Sequence, residues 1–373
     1  MRVGFDLTCI KHPMGGYERY ASRLLDALVR TPGGQLMVAF TERRYGPRLV
    51  PPGAELRAVA TLPRFLPKVL LQDQACWPGI MRRARIDVAH SPIFAGMSRA
   101  PKPYVLTLHD LIPLQAPEAI SRSAALYWRL VLPRAVARAD VVITGSEFTR
   151  GEIIERFGLA VDRVVAIPHG VEARFAPVAD EAALAAVRAR HRLPARFLLF
   201  VGIASPRKNL DRLVRAFDAL SPAERGDAHL VFVGPSGWKN AAFAAAVAAS
   251  PVRARIRHLG VVADEDLPAL YTLACGVVNL SAREGFGLPA LEAMACGAPL
   301  VCAARTSFPE VVGDTALLVD PDDGGAVAGA LAALLAGGAE VEARRQRGMA
   351  RAAHFTWERA AAATLAVYRA VAG

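Results

Sequence analysis

Five cysteines in 373 residues, none in a C-x-x-C pair, exclude both a disulfide framework and a zinc site of the usual spacing. Cys9, Cys76, Cys275, Cys296 and Cys302 lie mostly in apolar segments and read as reduced, buried thiols. The longest apolar run, GAVAGALAALLAGG near residue 330, is too short and too rich in Gly and Ala to cross a bilayer. The N-terminus, MRVGFDLTCI, carries Asp6 inside its apolar run and no cleavage site, so it reads as a first strand and not a signal peptide. A cytoplasmic protein is the expectation. Internal repeats are absent too.

What is present is apolar mass and positive charge. At 373 residues with 53% hydrophobic content, the chain exceeds what one core usually supports, and two domains are the natural division. The formal charge is +11, and residues through Gly170 hold +9 of it, from 23 Lys/Arg against 14 Asp/Glu. That asymmetry points to an anionic partner for the first half. Between Thr41 and Arg99 the arginines concentrate, with Val69, Leu70, Leu71, Trp77, Ile80 and Met81 set among the charges of the 67–81 segment. This is the composition of a helix lying in a membrane interface, and equally that of a core helix with solvated arginines. Aromatics are sparse there and no recognition motif accompanies the charge, so nucleic acid is a poor partner.

Along the chain, short β-rich runs alternate with helical periodicity. Arg2 to Asp6 is a strand. A loop follows through Gly15-Gly16, and Tyr17 to Arg30 places Tyr20, Leu24, Leu25 and Leu28 on one helical face. No G-x-G-x-x-G stands at this loop, so it is not a dinucleotide fingerprint. Tyr104 to His109 reads as a strand ending in His109-Asp110, and Ser146-Glu147 as a helix cap with a first-turn acid. The last strand of this half is followed by Pro168-His169-Gly170-Val171, and residues 172–180 read as a linker. The second half opens with the strand FLLFVG, then the loop Ile203 to Asn209 containing Arg207 and Lys208, then a helix. Two adjacent cations before a helix start suit a phosphate: Arg offers a fork of donors and Lys a point charge.

The richest stretch is Ser281 to Cys302, SAREGFGLPALEAMACGAPLVC. A buried strand leads into Glu284-Gly285-Phe286-Gly287, with Pro289 at a helix start, where its missing amide costs nothing. At the carboxyl edge of an open α/β sheet, free helix amides favour a phosphate, and Glu284 and Glu292 are acceptors suited to sugar hydroxyls. The bland alternative is a buried βα unit with a surface glutamate on its helix.

EGFGLPALEAMACGAPLV, with seven residues between its two glutamates, and G-x-x-x-x-R-K-N from Gly202 to Asn209 resemble the signatures of the retaining, nucleotide-sugar-dependent glycosyltransferases of the GT-B fold, family 4. The resemblance implies an α/β architecture of two Rossmann-like doubly wound parallel sheets facing a cleft. It implies an acceptor-binding domain over residues 1–171, a donor-binding domain over 172–355, and a terminal helix, 356–373, crossing back to the first.

By the same resemblance Arg207, Lys208, Gly15, Gly16, Gly287 and Leu288 hold the donor diphosphate. Glu284, Gly285, Phe286 and Gly287 hold the sugar, Glu292 the ribose, and the turns at Gly234, Val261 and Val262 frame the base. His109, together with Glu284, is the implied catalytic residue, hydrogen-bonding a hydroxyl or carrying positive charge near the departing diphosphate. His169 replaces the usual Asn of this family's P-N-G-V exit, leaving its role open. Arg305 departs from the pattern of small residues, as an added phosphate or acceptor contact. No metal and no cofactor are implied, cations doing what a metal does in other transferases.

The motifs Y-E-R-Y and S-P-R-K-N resemble the branch using GDP-mannose or related GDP-deoxysugars in lipopolysaccharide, O-antigen or capsule assembly. The expected activity is hexose transfer, with mannose first, to a lipid-linked saccharide at the inner membrane surface, with peripheral association through the basic first domain. UDP- or dTDP-sugar transfer, a nucleotide-sugar 2-epimerase and an inactive sugar-binding protein are the alternatives.

Overall fold

The computed structural model describes residues 1–10, 15–60, 74, 76–93, 96–115, 122–237 and 239–373. The chain divides into two compact units, Met1–Gly170 with Thr356–Gly373, and Val171–Phe355.

In the first unit seven strands, β1 (Arg2–Asp6), β2 (Leu36–Thr41), β3 (Glu55–Ala58), β4 (Val88–Ser91), β5 (Tyr104–Thr107), β6 (Val141–Thr144) and β7 (Val164–Ala166), form one sheet in the order β3-β2-β1-β4-β5-β6-β7. In the second unit β8 (Phe197–Val201), β9 (His229–Val233), β10 (Ile256–His258), β11 (Gly276–Asn279), β12 (Leu300–Ala303) and β13 (Leu317–Val319) follow the order β10-β9-β8-β11-β12-β13. Every pairing is parallel. Parallel strands need crossovers, which cover both faces and bury the strands on both sides, hence the continuous apolar runs such as FLLFV. The winding reverses between β1 and β4 and again between β8 and β11. In an open α/β sheet the carboxyl edge beside such a reversal is where ligands bind.

The helix Gly16–Arg30 buries Tyr20, Leu24, Leu25 and Leu28 as its periodicity requires. Beside it lies the helix Trp357–Ala372, whose start is capped by Thr356 accepting from the Arg359 amide at 3.2 Å. Trp357, Leu365 and Tyr368 are buried in the core of the first unit. Tyr368 also reaches a buried polar pair: its hydroxyl lies 2.5 Å from His90 Nδ1, while His90 Nε2 is 2.8 Å from Thr107 Oγ1. Tyr368→Phe keeps the packing and strips one partner from a buried imidazole. Loss of about 2 kcal/mol in urea unfolding is expected, with no loss if His90 has been supplied with water.

The structure favours one of two open readings here and corrects an expectation. Trp77 and Met81, candidates for a membrane-facing stripe, are buried in the core and Ile80 is half-buried, whereas Val69, Leu70 and Leu71 lie outside the described residues. Cys76 is exposed, unlike Cys296 and Cys302, because it stands just ahead of the Trp77–Arg83 helix whose inward positions are taken by Trp77 and Met81. The alanine-rich helix Gly324–Ala336 buries Val327, Leu331, Leu334 and Leu335. Among the described residues no single helix is long and apolar enough to cross a membrane.

Candidate active site

β8 and β11 are neighbours at the winding reversal of the second unit, so the loops leaving their carboxyl ends start side by side. The β8 loop passes through a short 3-10 turn, Pro206–Lys208, and ends at Asn209 in the left-handed region, φ 53°. The Asn209 side-chain amide donates through Nδ2 to the Leu280 carbonyl at 2.8 Å, and the Ala282 backbone amide to the Arg207 carbonyl at 2.8 Å. These bonds stitch the two loops together, and the side chains meet as a result. Arg207 Nη1 donates to Glu284 Oε1 at 3.0 Å and to the Arg283 carbonyl at 2.9 Å, and Lys208 Nζ donates to the same Glu284 oxygen.

The electrostatics follow from burial. Desolvation alone would raise the Glu284 carboxyl, but Arg207 and Lys208 outweigh it and bring it down to about 2. For Lys208, whose side chain is only 6% exposed, desolvation and the adjacent guanidinium prevail over the attraction of Glu284 and lower the ammonium to about 8. Two cations share one carboxylate, a group built to receive more negative charge. Because the ammonium is charged only below about pH 8, any reaction of a phosphorylated ligand here should lose kcat/KM as pH rises through that value. A flat profile to pH 10 would show that the charge on Lys208 is not used.

Gly285, Phe286, Gly287 and Leu288 continue the turn. Leu288, not Pro289, is the first helical residue, with Gly287 before it at φ 98°. A Cβ on Gly287 would stand 2.8 Å from Phe308 Cε1. Phe286 turns inward and packs edge-on to Phe355 at 5.9 Å, and Leu288 is also core, so this stretch offers a ligand its backbone and not these side chains.

Glu292 is 2% exposed and accepts from the Tyr271 hydroxyl at 3.0 Å. The two glutamates therefore differ: Glu284 meets the cations and Glu292 is lodged against the Leu267–Leu273 helix. The exit of β9 is tied to that of β10, the Gly234 amide donating to the Gly260 carbonyl at 2.8 Å. Gly234, φ 129°, lies so close to the β8 exit that a Cβ would approach the Gly202 carbonyl oxygen to 2.2 Å. Val261 is 76% exposed and Val262 half-buried.

Arg305 is not an open phosphate contact. It pairs with Asp320 at 2.6 Å and with Asp322, which also pairs with Arg212. Sequence reasoning overlooked two Asp-x-Asp triplets, from which a metal reading would start. The residue spacing was there to find them. Both are engaged by arginines: Asp264 by Arg174 at 3.1 Å, Asp266 by Arg190 with a further hydrogen bond to the His191 ring, Asp320 and Asp322 by the arginines just named. Among the described residues no group of three or more His, Cys, Asp or Glu has metal-binding geometry.

In the first unit, Gly15 precedes the Gly16–Arg30 helix, whose first residue is Gly16, and residues 11–14 lie outside the described set. His109 follows β5, buried, with Nε2 donating to the Pro92 carbonyl at 3.0 Å. Burial pushes its imidazole down to about 4, the Pro92 bond offsetting this only in part. Near neutral pH it carries no positive charge, which corrects that half of the expectation. With the proton on Nε2, Nδ1 is an acceptor.

Asp110 anchors the adjoining loop, accepting from the Ile112 amide and the Tyr17 hydroxyl, both at 2.9 Å. His169 has a packing role: its ring lies 4.5 Å from that of Tyr20, edge-on to His109 at 5.4 Å and stacked on Trp357 at 6.3 Å.

Residues 14–175 match the family described as Glycosyltransferase Family 4, and residues 187–351 that described as Glycosyl transferases group 1. The chain is 30% identical over 380 residues to the O-antigen chain mannosyltransferase B of Escherichia coli, covering 99% of this chain and 100% of the relative. It is 31% identical over 260 residues to the serotype-specific mannosyltransferase WbdA of Escherichia coli, 68% of this chain but only 32% of that protein. In fold it is similar to the sucrose-phosphate synthase of Thermosynechococcus elongatus, with a TM-score of 0.77 and 23% identity over 99% of this chain and 98% of that one.

Proposed function

The chain belongs to glycosyltransferase family 4, and on that premise we propose that it moves mannose from GDP-mannose, with retained anomeric configuration, to a hydroxyl of a lipid-linked saccharide in O-antigen assembly. The observation that carries this reading is the convergence of Arg207 and Lys208 on one oxygen of Glu284. A departing diphosphate gathers negative charge as the glycosidic bond breaks, and stabilisation aimed there accelerates the step. On donor binding the phosphates take over the two cations, and Glu284 is released to hold hydroxyls of the sugar. The arginine and lysine do electrostatically what a metal does in other transferases, and no cofactor enters.

Residues 171–355 act as the donor-binding domain. The Gly287 and Leu288 amides face the phosphate, backbone at Gly234, Val261 and Val262 frames the base, and Glu292, held by Tyr271, holds the ribose. In the acceptor-binding domain, Gly15 and Gly16 contribute backbone to a phosphate and neutral His109 accepts from a substrate hydroxyl through Nδ1. The surplus of positive charge in this part suits an anionic acceptor at the inner face of the cytoplasmic membrane. Mannose as the sugar rests on the names of the relatives, mannosyltransferases 30% and 31% identical to the chain.

The test is incubation with GDP-mannose, GDP-rhamnose, UDP-glucose and dTDP-rhamnose, each with and without a lipid-linked saccharide, reading nucleotide release and the NMR anomeric signal of the product. Acceptor-dependent GDP release and an α-linked mannoside are expected. Nucleotide release without acceptor, or a β-linked product, would overturn the reading.

A further inference from the structure

In the first unit a second cluster of cations surrounds an open recess. Parallel register sets it up. Val38 and Phe40 on β2 stand beside Glu55 and Arg57 on the edge strand β3, and the alternation of β1 puts Arg2 on the same face as Gly4, which pairs with Val38. The Trp77–Arg83 helix packs on this face, and its end brings Arg83 and Arg85 toward the strands. Arg2, Arg57, Arg83 and Arg85, with Phe40 and Ile80 as apolar wall, line a recess of about 490 Å³, within the range of small-molecule sites.

The charges here do not balance. Glu55 is divided between Arg2 at 3.2 Å and Arg57 at 2.5 Å, and the Asp87 carboxylate accepts from the backbone amide of Arg2 at 2.7 Å. Among the described residues Arg83 and Arg85 have no ion-pair partner, and Arg2 Nε is buried with no hydrogen-bond partner. Four guanidiniums thus face two carboxylates.

Arg85 adds a second oddity, for it sits at φ 50°, its amide donating to the Arg82 carbonyl, at a helix exit where glycine is favoured. A simple helix stop would use glycine. Complementing the helix dipole explains a basic residue in the last turn, but neither Arg2 nor Arg57, which come from strands. Forked donors converging on a concave site match phosphate oxygens.

We propose that this recess binds a phosphate group borne by a compact organic anion, at a site separate from the donor phosphates. Its source is either a free phosphate ester or a lipid headgroup.

Calorimetric titration with inorganic pyrophosphate tests it, using the full chain carrying R207A/K208A so that the donor-side loop is silenced. Saturable binding is expected, weakened at least tenfold when R57Q/R83Q/R85Q is added. In the unsubstituted chain the same triple change should remove one of two sites. All three side chains are exposed, so folding should survive, which an unchanged melting curve confirms. Co-sedimentation with phosphatidylglycerol vesicles then separates the sources: reduced by the triple change for a headgroup, unchanged for a free ester. Equal pyrophosphate affinity with and without the three arginines, or no binding to the R207A/K208A chain, would overturn the proposal.

Discussion

Lys208→Met should lower donor kcat/KM by about two to three orders of magnitude, a loss of roughly 2.7–4 kcal/mol in transition-state stabilisation, while leaving the fold in place. The size comes from what the ammonium does. It is the more buried of the two cations, its charge lies against Glu284 in a poorly solvated pocket, and a diphosphate formed beside it would meet that charge at low dielectric. Methionine matches the stem and removes the charge alone. Stability should change little, because the desolvation that lowers the ammonium to about 8 is relieved as the ion pair disappears, and Arg207 continues to hold Glu284. The measurement is donor-dependent nucleotide release beside a thermal melt. A variant that folds and turns over within fivefold of the parent would remove Lys208 from the chemistry.

This site was largely readable in one dimension because its members are local. Arg207 and Lys208 sit in one turn, Glu284 in another, and the βα pattern alone says both turns leave carboxyl ends. What the pattern does not say is that β8 and β11 are neighbours, and the convergence depends on that adjacency. The misreadings share a cause: the deciding partner lies far along the chain or across a face.

Arg305 looks open until Asp320 and Asp322 arrive from the carboxyl end of β13, the parallel neighbour of β12. His109 could be written as a cation because nothing local declares its burial, whereas three layers of packing, from Tyr17, Tyr20 and His169, enclose it. Trp77 and Met81 carry the same ambiguity, since a stripe of apolar side chains looks alike whether a membrane or a sheet covers it. Periodicity reports that a face is covered, and only the tertiary fold reports by what.

Glu284→Gln is the sharper probe, because its effect should depend on pH in a direction that a merely structural role would not produce. In the parent, Glu284 raises the Lys208 pKa against desolvation and against Arg207, and the balance lies at about 8. Removing the carboxylate charge leaves only the lowering influences, so the ammonium should lose its proton at a still lower pH. Arg207 keeps its bond to the Arg283 carbonyl and stays in place. At pH 8 the variant is then expected to lose about 10²-fold in donor kcat/KM, the deficit shrinking several-fold by pH 6.5 as Lys208 regains its charge.

Stability runs the opposite way with pH. Between the folded value and the ordinary lysine value of 10.5 the unfolded chain binds the extra proton, so stability rises with pH across that window, and the substitution extends the window downward. Parallel pH profiles for parent and variant from pH 6 to 9.5 would mean that the carboxylate does not govern the ammonium. The shared oxygen would then be a packing contact and not the device that readies two cations for a diphosphate.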